Sequence, residues 1–184
     1  MVNPVSKIVA ILLAIVVMIY LPTYNTFEKE EDLAYLMADQ AVSDFTDNVR
    51  MKGYITPSMY EDFVQRLHVG SPVLYKIEMT HKHKVYTPVY SDPANINTFT
   101  GKYEVQYDEF YQDQILDYLF KNPAGPNEQR MYKLEKDDFF QVVIENKTKF
   151  KSTMLFDFLT FNAGESNTPV IYIPRGGMVL NEDY

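Results

Sequence analysis

The hydrophobic pattern divides the chain at its first proline after the N-terminal stretch. From Ile8 to Tyr20 and on through Leu21 the residues are apolar and uncharged, and Pro4 and Val5 lengthen the run. A spanning helix needs about 20 apolar residues. Lys7 can snorkel to lipid headgroups, and Tyr20 and Tyr24 suit the opposite interface. A cleaved signal peptide has a similar start, but no pair of small residues of the A-x-A kind follows Tyr20, so an uncleaved anchor is expected. Pro22 then either ends the anchor or hinges a helix that continues, with Thr23, Asn25 or Thr26 as caps of a new start. From Phe27 the period becomes helical and amphipathic. Leu33, Met37, Ala41, Phe45 and Val49 form a stripe flanked by Ala34, Ala38 and Val42, while Asp39, Asp44, Asp47 and Arg50 lie off it. Packing of this helix on its own domain is expected, its membrane-proximal part also meeting neighbouring copies.

Gly53 is placed to close that helix as a left-handed cap. Thr56-Pro57 opens a second one, with Met59, Phe63 and Leu67 on its buried side beside Tyr60 and Val64, and Gly70-Ser71-Pro72 as its stop. Period-two alternation follows: Tyr75, Ile77, Met79, His81, His83 and Val85 against Lys76, Glu78, Thr80, Lys82 and Lys84, a half-buried strand. Residues 87–100, with Pro88 and Pro93, read as a loop. Tyr103 to Tyr107 reads as a short strand, and Asp108 as cap of a helix whose face carries Tyr111, Ile115, Tyr118 and Leu119. Asn122-Pro123-Ala124-Gly125-Pro126 is its stop.

Met131–Leu134 and Phe139–Glu145 read as a hairpin about a Lys-Asp-Asp turn. Phe150, Met154, Leu155, Phe158 and Leu159 are helically spaced, ahead of Gly164, and the segment reads as either helix or strand. Thr168–Ile173 reads as a final strand and Arg175-Gly176-Gly177 as a turn. The fold class expected is α+β, a long N-terminal helix followed by a mostly antiparallel sheet with helices. Residues 1–24 form the anchor and 25–184 one extracytoplasmic domain.

The chain has 184 residues, net charge -8, aromatic content of 15% and no cysteine. This is enough apolar material for a packed core. It excludes disulfides, thiol catalysis and thiolate metal sites. The acidic balance speaks against nucleic acid as a partner. Lys7 and the terminal amine before the apolar run, against only Lys29 among acidic Glu28, Glu30, Glu31 and Asp32 after it, give a small signal that favours a cytoplasmic N-terminus, since basic residues are what the positive-inside rule counts.

Candidate chemistry is sparse. His81 and His83 sit at i and i+2 of a strand, hence on one face, and are weak candidates for metal ligation that lack a third donor. A polar end to the strand face explains them as well. No nucleophile motif surrounds Ser152 or Ser166. Asp137-Asp138 are turn residues or an acid/base or calcium pair. Arg175-Gly-Gly177 lacks the spacing of a phosphate loop, and Asn146-Lys-Thr148 fits a glycosylation pattern that arises often by chance. No enzyme and no cofactor are expected.

The first fifty residues, from the apolar run through Pro22 to the amphipathic half, resemble type IV pilins. The stretch from Ala41 to Pro57 looks like the helix-to-loop segment of Tad-locus minor pilins (TadE-like proteins). The resemblance implies a single-pass protein with its bulk outside the membrane. Its apolar helix, with Ile8, Leu12, Ile15, Ile19, Pro22, Leu33, Met37, Phe45 and Val49, would pack in the bilayer and against other pilin-like subunits or assembly-platform proteins. Val5 stands where many mature pilins have Glu, and no leader ending in Gly precedes the run, which favours an assembly-associated member over a major pilin. A membrane-tethered ligand-binding or sensor domain is the alternative, with residues 87–100 and the Tyr-rich faces as its site.

Overall fold

A computed structural model describes residues 4–69, 73–121, 130–161 and 171–184, and its first element is one helix, α1 (Pro4–Lys52), 49 residues long. At 1.5 Å per residue this is a rod of about 74 Å. The helix runs through Pro22 without stopping. Pro22 cannot donate to the preceding turn. Thr23 and Thr26, expected as caps of a new start, instead donate their hydroxyls to the carbonyls of Ile19 and Pro22, each at 2.8 Å. They are interior residues bonded four positions back along the helix.

The C-terminal half of α1 is the spine of an α+β fold. Its buried residues are Ala34, Ala38, Ala41, Val42, Phe45, Thr46 and Val49. Leu33 and Met37, expected in the buried stripe, are 50% and 40% exposed. At its N-terminal end the contact line is Ala34, Ala38 and Ala41, small side chains that permit close approach, while Leu33 and Met37 beside them are turned outward; nearer Gly53 it is filled by Val42, Phe45 and Val49. Gly53 ends α1 with φ 74 and an N–H bond of 2.8 Å to Val49, as expected of a left-handed cap.

Strand β1 (Tyr54–Ile55) leads into α2 (Pro57–His68), which Thr56 caps by accepting from the Met59 N–H at 3.2 Å. Phe63 and Leu67 are buried on its inner side. Phe63 stacks on Phe45 with centroids 4.4 Å apart, and Phe140 meets Phe45 edge-on at 6.2 Å. These aromatics join α1, α2 and the sheet into one core.

The sheet is built from β2 (Tyr75–Tyr90), β3 (Phe99–Tyr111), β5 (Phe139–Asn146) and β6 (Tyr172–Met178), in the order β3-β2-β5-β6, every pairing antiparallel. The loop expected over 87–100 is narrower than the sequence implies. Strand β2 continues to Tyr90 and β3 resumes at Phe99, leaving a short turn with one 3-10 turn at Ile96–Thr98. Thr98 holds it through bonds to Asp92 and Asn95. Asp108 lies within β3, and Tyr111 takes the N-cap position of α3 (Gln112–Phe120), where the Gln114 side chain accepts from the Tyr111 N–H at 2.9 Å.

The expected hairpin of 131–145 does not form. Strand β4 (Tyr132–Lys133) pairs with β1 in a separate two-stranded sheet, while β5 inserts between β2 and β6. Residues 175–177 are strand and not a turn, and the Arg175 guanidinium bonds Asp39 and Ser43 on α1. Helix α4 (Lys151–Leu159) completes the fold. The expected stops at Gly70–Pro72, Asn122–Pro126 and Gly164, the segment around Ser166, and the first residues of the Thr168–Ile173 strand lie outside the described residues.

Candidate functional site

Two features stand apart from the packing of the core. The first is apolar surface. Pro4–Lys52 contains a segment long and apolar enough to cross a membrane, and none of that segment is buried within the protein. Ile8, Leu12, Ile15 and Ile19 are between 49% and 63% exposed. Residues 4–21, at 1.5 Å each, extend about 27 Å, close to the hydrocarbon thickness of a bilayer. Beyond Pro22 and the charged stretch Glu28–Asp32, apolar side chains are exposed again at Leu33, Leu36 and Met37.

Helix α4 lies against the middle of the same rod. The Ser152 hydroxyl donates to the Glu31 carboxylate, and Lys151 reaches Glu30 at 3.5 Å and sits over the Phe27 ring. Only Phe150 and Ser152 of this region are buried; Met154, Phe156, Phe158, Leu159 and Phe161 are exposed. The helical spacing noted at 150–159 is therefore real, but most of its apolar face points outward rather than into the core.

The second feature is polar and buried. Asp138 follows the turn at Glu135–Asp137, where Asp137 has φ 70, and the turn brings its carboxylate beneath β2. His81 and His83, on one face of β2 as expected, both reach it: His81 Nε2 at 2.8 Å and His83 Nδ1 at 3.0 Å. The backbone N–H groups of Lys84 and Glu135 donate to the same carboxylate at 3.0 and 2.8 Å. On the far side of the His81 ring, Nδ1 lies 2.8 Å from the Tyr132 hydroxyl, and Phe110 stacks over the ring at 5.5 Å.

The electrostatics fix the direction of these bonds. Burial pushes the Asp138 carboxyl up, but the bonds from His81, Lys84, Glu135 and His83 outweigh it and hold the group below the usual carboxylate range. Burial lowers the His81 imidazole below its ordinary value, against the pull of Asp138. Burial raises the Tyr132 hydroxyl well above its ordinary value, with the Asp138 charge adding to it. The ionised Asp138 can only accept, so His81 donates from Nε2 and His83 from Nδ1. Tyr132 donates to His81 Nδ1. Among the described residues, the side-chain partners of the two imidazoles are Asp138 and, for His81, Tyr132.

Sequence reasoning found His81 and His83 and named Asp138 only as a turn residue or acidic pair. It missed Tyr132 as a partner. The signal for Asp138 is a register in which β5 lies beside β2, with Phe140 opposite His81; local pattern does not encode it. The asparagine of the glycosylation pattern has a structural role. The Asn146 side chain accepts from the Ile171 N–H and donates to the Thr148 carbonyl, each at 2.8 Å, so it clasps two segments of backbone. No family model, curated protein or solved structure matches this chain.

Proposed function

We propose that the protein is a membrane-anchored, non-enzymatic, pilin-like structural or assembly component of a surface filament or secretion apparatus. The observation that carries this reading is the single rod of α1. Its first part is apolar and makes no core of its own, while its second part is the spine of an α+β head. Such a rod gains burial only from lipid or from other apolar helices. The exposed Leu33, Leu36 and Met37 form a second apolar patch beyond the charged stretch Glu28–Asp32 and offer a lateral contact between rods. Ala10 and Ala14, four residues apart, permit close helix approach within the bilayer. The N-terminus is cytoplasmic and the head extracytoplasmic in this reading.

A membrane-tethered binding domain is the second reading. It rests on the β2–β3 hairpin, where Tyr86, Tyr103, Val105 and Tyr107 are exposed on one face. Tyr is favoured at such contact surfaces.

The anchor and its orientation are tested in membranes of cells making the full chain, with cysteine substitutions at Lys7 and Ser91. The chain is expected to stay in the pellet after an alkaline wash, and Ser91→Cys to react with an impermeant maleimide added outside while Lys7→Cys does not. Release by the wash, or the opposite labelling, contradicts the reading.

A further inference from the structure

We infer that His81, His83 and Asp138 form a binding site for one divalent transition-metal ion of the zinc class. The site is separate from the apolar surfaces and independent of where the chain resides. One donor atom from each of the three residues lies within 4.8 Å of the others. Zinc bonds of about 2.0–2.1 Å place neighbouring donors of a tetrahedral site roughly 3.3 Å apart. To admit the ion, the contacts of 2.8 and 3.0 Å from the imidazoles to Asp138 open by a few tenths of an ångström, and the two imidazole donors, which lie within 4.8 Å of each other, close toward that spacing. Two imidazoles and one carboxylate suit zinc, cobalt or nickel over calcium or magnesium, which take all-oxygen sites.

The charge of the site asks for a cation. Asp138 is 1% exposed, and among the described residues no lysine or arginine pairs with it. Buried carboxylates are ordinarily paired with a cation or bound to a metal. The proton arithmetic is neutral. On metal binding, the His81 proton moves from Nε2 to Nδ1 and the Tyr132 hydroxyl turns from donor to acceptor. The His83 proton moves from Nδ1 to Nε2. Asp138 is already ionised. A partner on the second ring nitrogen of a ligating histidine is the usual way such a ligand is oriented, and Tyr132 stands there at 2.8 Å. His83 is half-buried, and its side of the cluster gives the ion a path in and a water a place as fourth ligand.

The test uses the full chain in detergent, stripped with a chelator and titrated with Zn²⁺ and Co²⁺. About one ion per chain is expected, with a raised unfolding temperature and the visible absorption of four-coordinate cobalt. His83→Ala, which removes a half-exposed side chain, should weaken binding beyond the roughly 10–100-fold that loss of an outer partner costs, and Tyr132→Phe should fall within that range. His68→Ala, an exposed change on α2 and the only other histidine, should leave binding unchanged. Absence of stoichiometric binding by the unsubstituted chain overturns the site. So does undiminished binding by His83→Ala, which would place the ion on surface carboxylates only.

Discussion

Gly53 lies directly against the backbone carbonyl of Asn181, so the end of the long helix and the C-terminal segment meet with no room for a side chain between them. The contact is held by Leu180 N–H to the Arg50 carbonyl at 2.8 Å and Asp183 N–H to the Lys52 carbonyl at 2.9 Å. Positive φ at Gly53 adds a second constraint. Gly53→Ala therefore meets both left-handed backbone cost and overpacking. It should destabilise the head by about 2–4 kcal/mol, read from urea unfolding of the full chain in detergent. A loss below about 0.5 kcal/mol would show that the C-terminal segment yields freely.

The line of burial on α1 makes a paired prediction. Ala38→Leu forces a larger side chain into the buried face of α1 and should cost about 1–3 kcal/mol. Leu33→Ser removes an exposed side chain and should change head stability by less than about 0.5 kcal/mol, while weakening lateral association of the full chain in membranes. If Leu33→Ser is the more destabilising of the two in urea unfolding, the face assignment is reversed.

Those two positions also show what the sequence reveals and what it hides. The helical period from Phe27 to Arg50, the Gly53 cap, the Thr56-Pro57 start and the alternation along Tyr75–Val85 are local signals, and each appears in the fold as read. The face that packs is another matter. Hydrophobicity favours Leu33 and Met37, but close approach of a helix to the elements packed on it favours Ala34 and Ala38. Pairing is equally non-local. Strand β4 joins β1 rather than β5, and the partner that completes the His81–His83 pair sits more than fifty residues along the chain at Asp138. An isolated Asp in a turn carries no mark of that role, because turns favour Asp for their own reasons.

Asp138 should also be the most sensitive polar position of the head. Asp138→Ala leaves two imidazoles and two backbone N–H groups without their acceptor. Removing one member of a buried charged network costs about 3–5 kcal/mol. Asp138→Asn, which keeps one carbonyl acceptor, should lose less. Equal unfolding midpoints for the unsubstituted chain and Asp138→Ala, measured with chelator present, would mean the cluster contributes nothing to the fold.

Helix α4 supplies a depth measurement. Its docking at Phe27–Glu31 puts it about 9–15 Å beyond Leu21 along the rod, which is headgroup level if residues 4–21 span the bilayer as proposed. The chain has no tryptophan, so Phe158→Trp is a unique reporter. In proteoliposomes its fluorescence should be quenched by lipids brominated high on the acyl chain. Tyr103→Trp, on the distal hairpin, should not be quenched. Equal quenching of the two would separate α4 from the membrane.

The central claim is that the α1 rod packs laterally with other apolar helices. Because the chain has no cysteine, single substitutions at Ile8, Leu12, Ile15, Ile19, Leu33 and Met37 can be oxidised one at a time in native membranes and resolved by size. The account predicts disulfide-linked dimers at positions recurring along one helical face and, when two such positions are combined, a ladder of higher oligomers. Monomer at every position, with no cross-linked partner of any size, would contradict it.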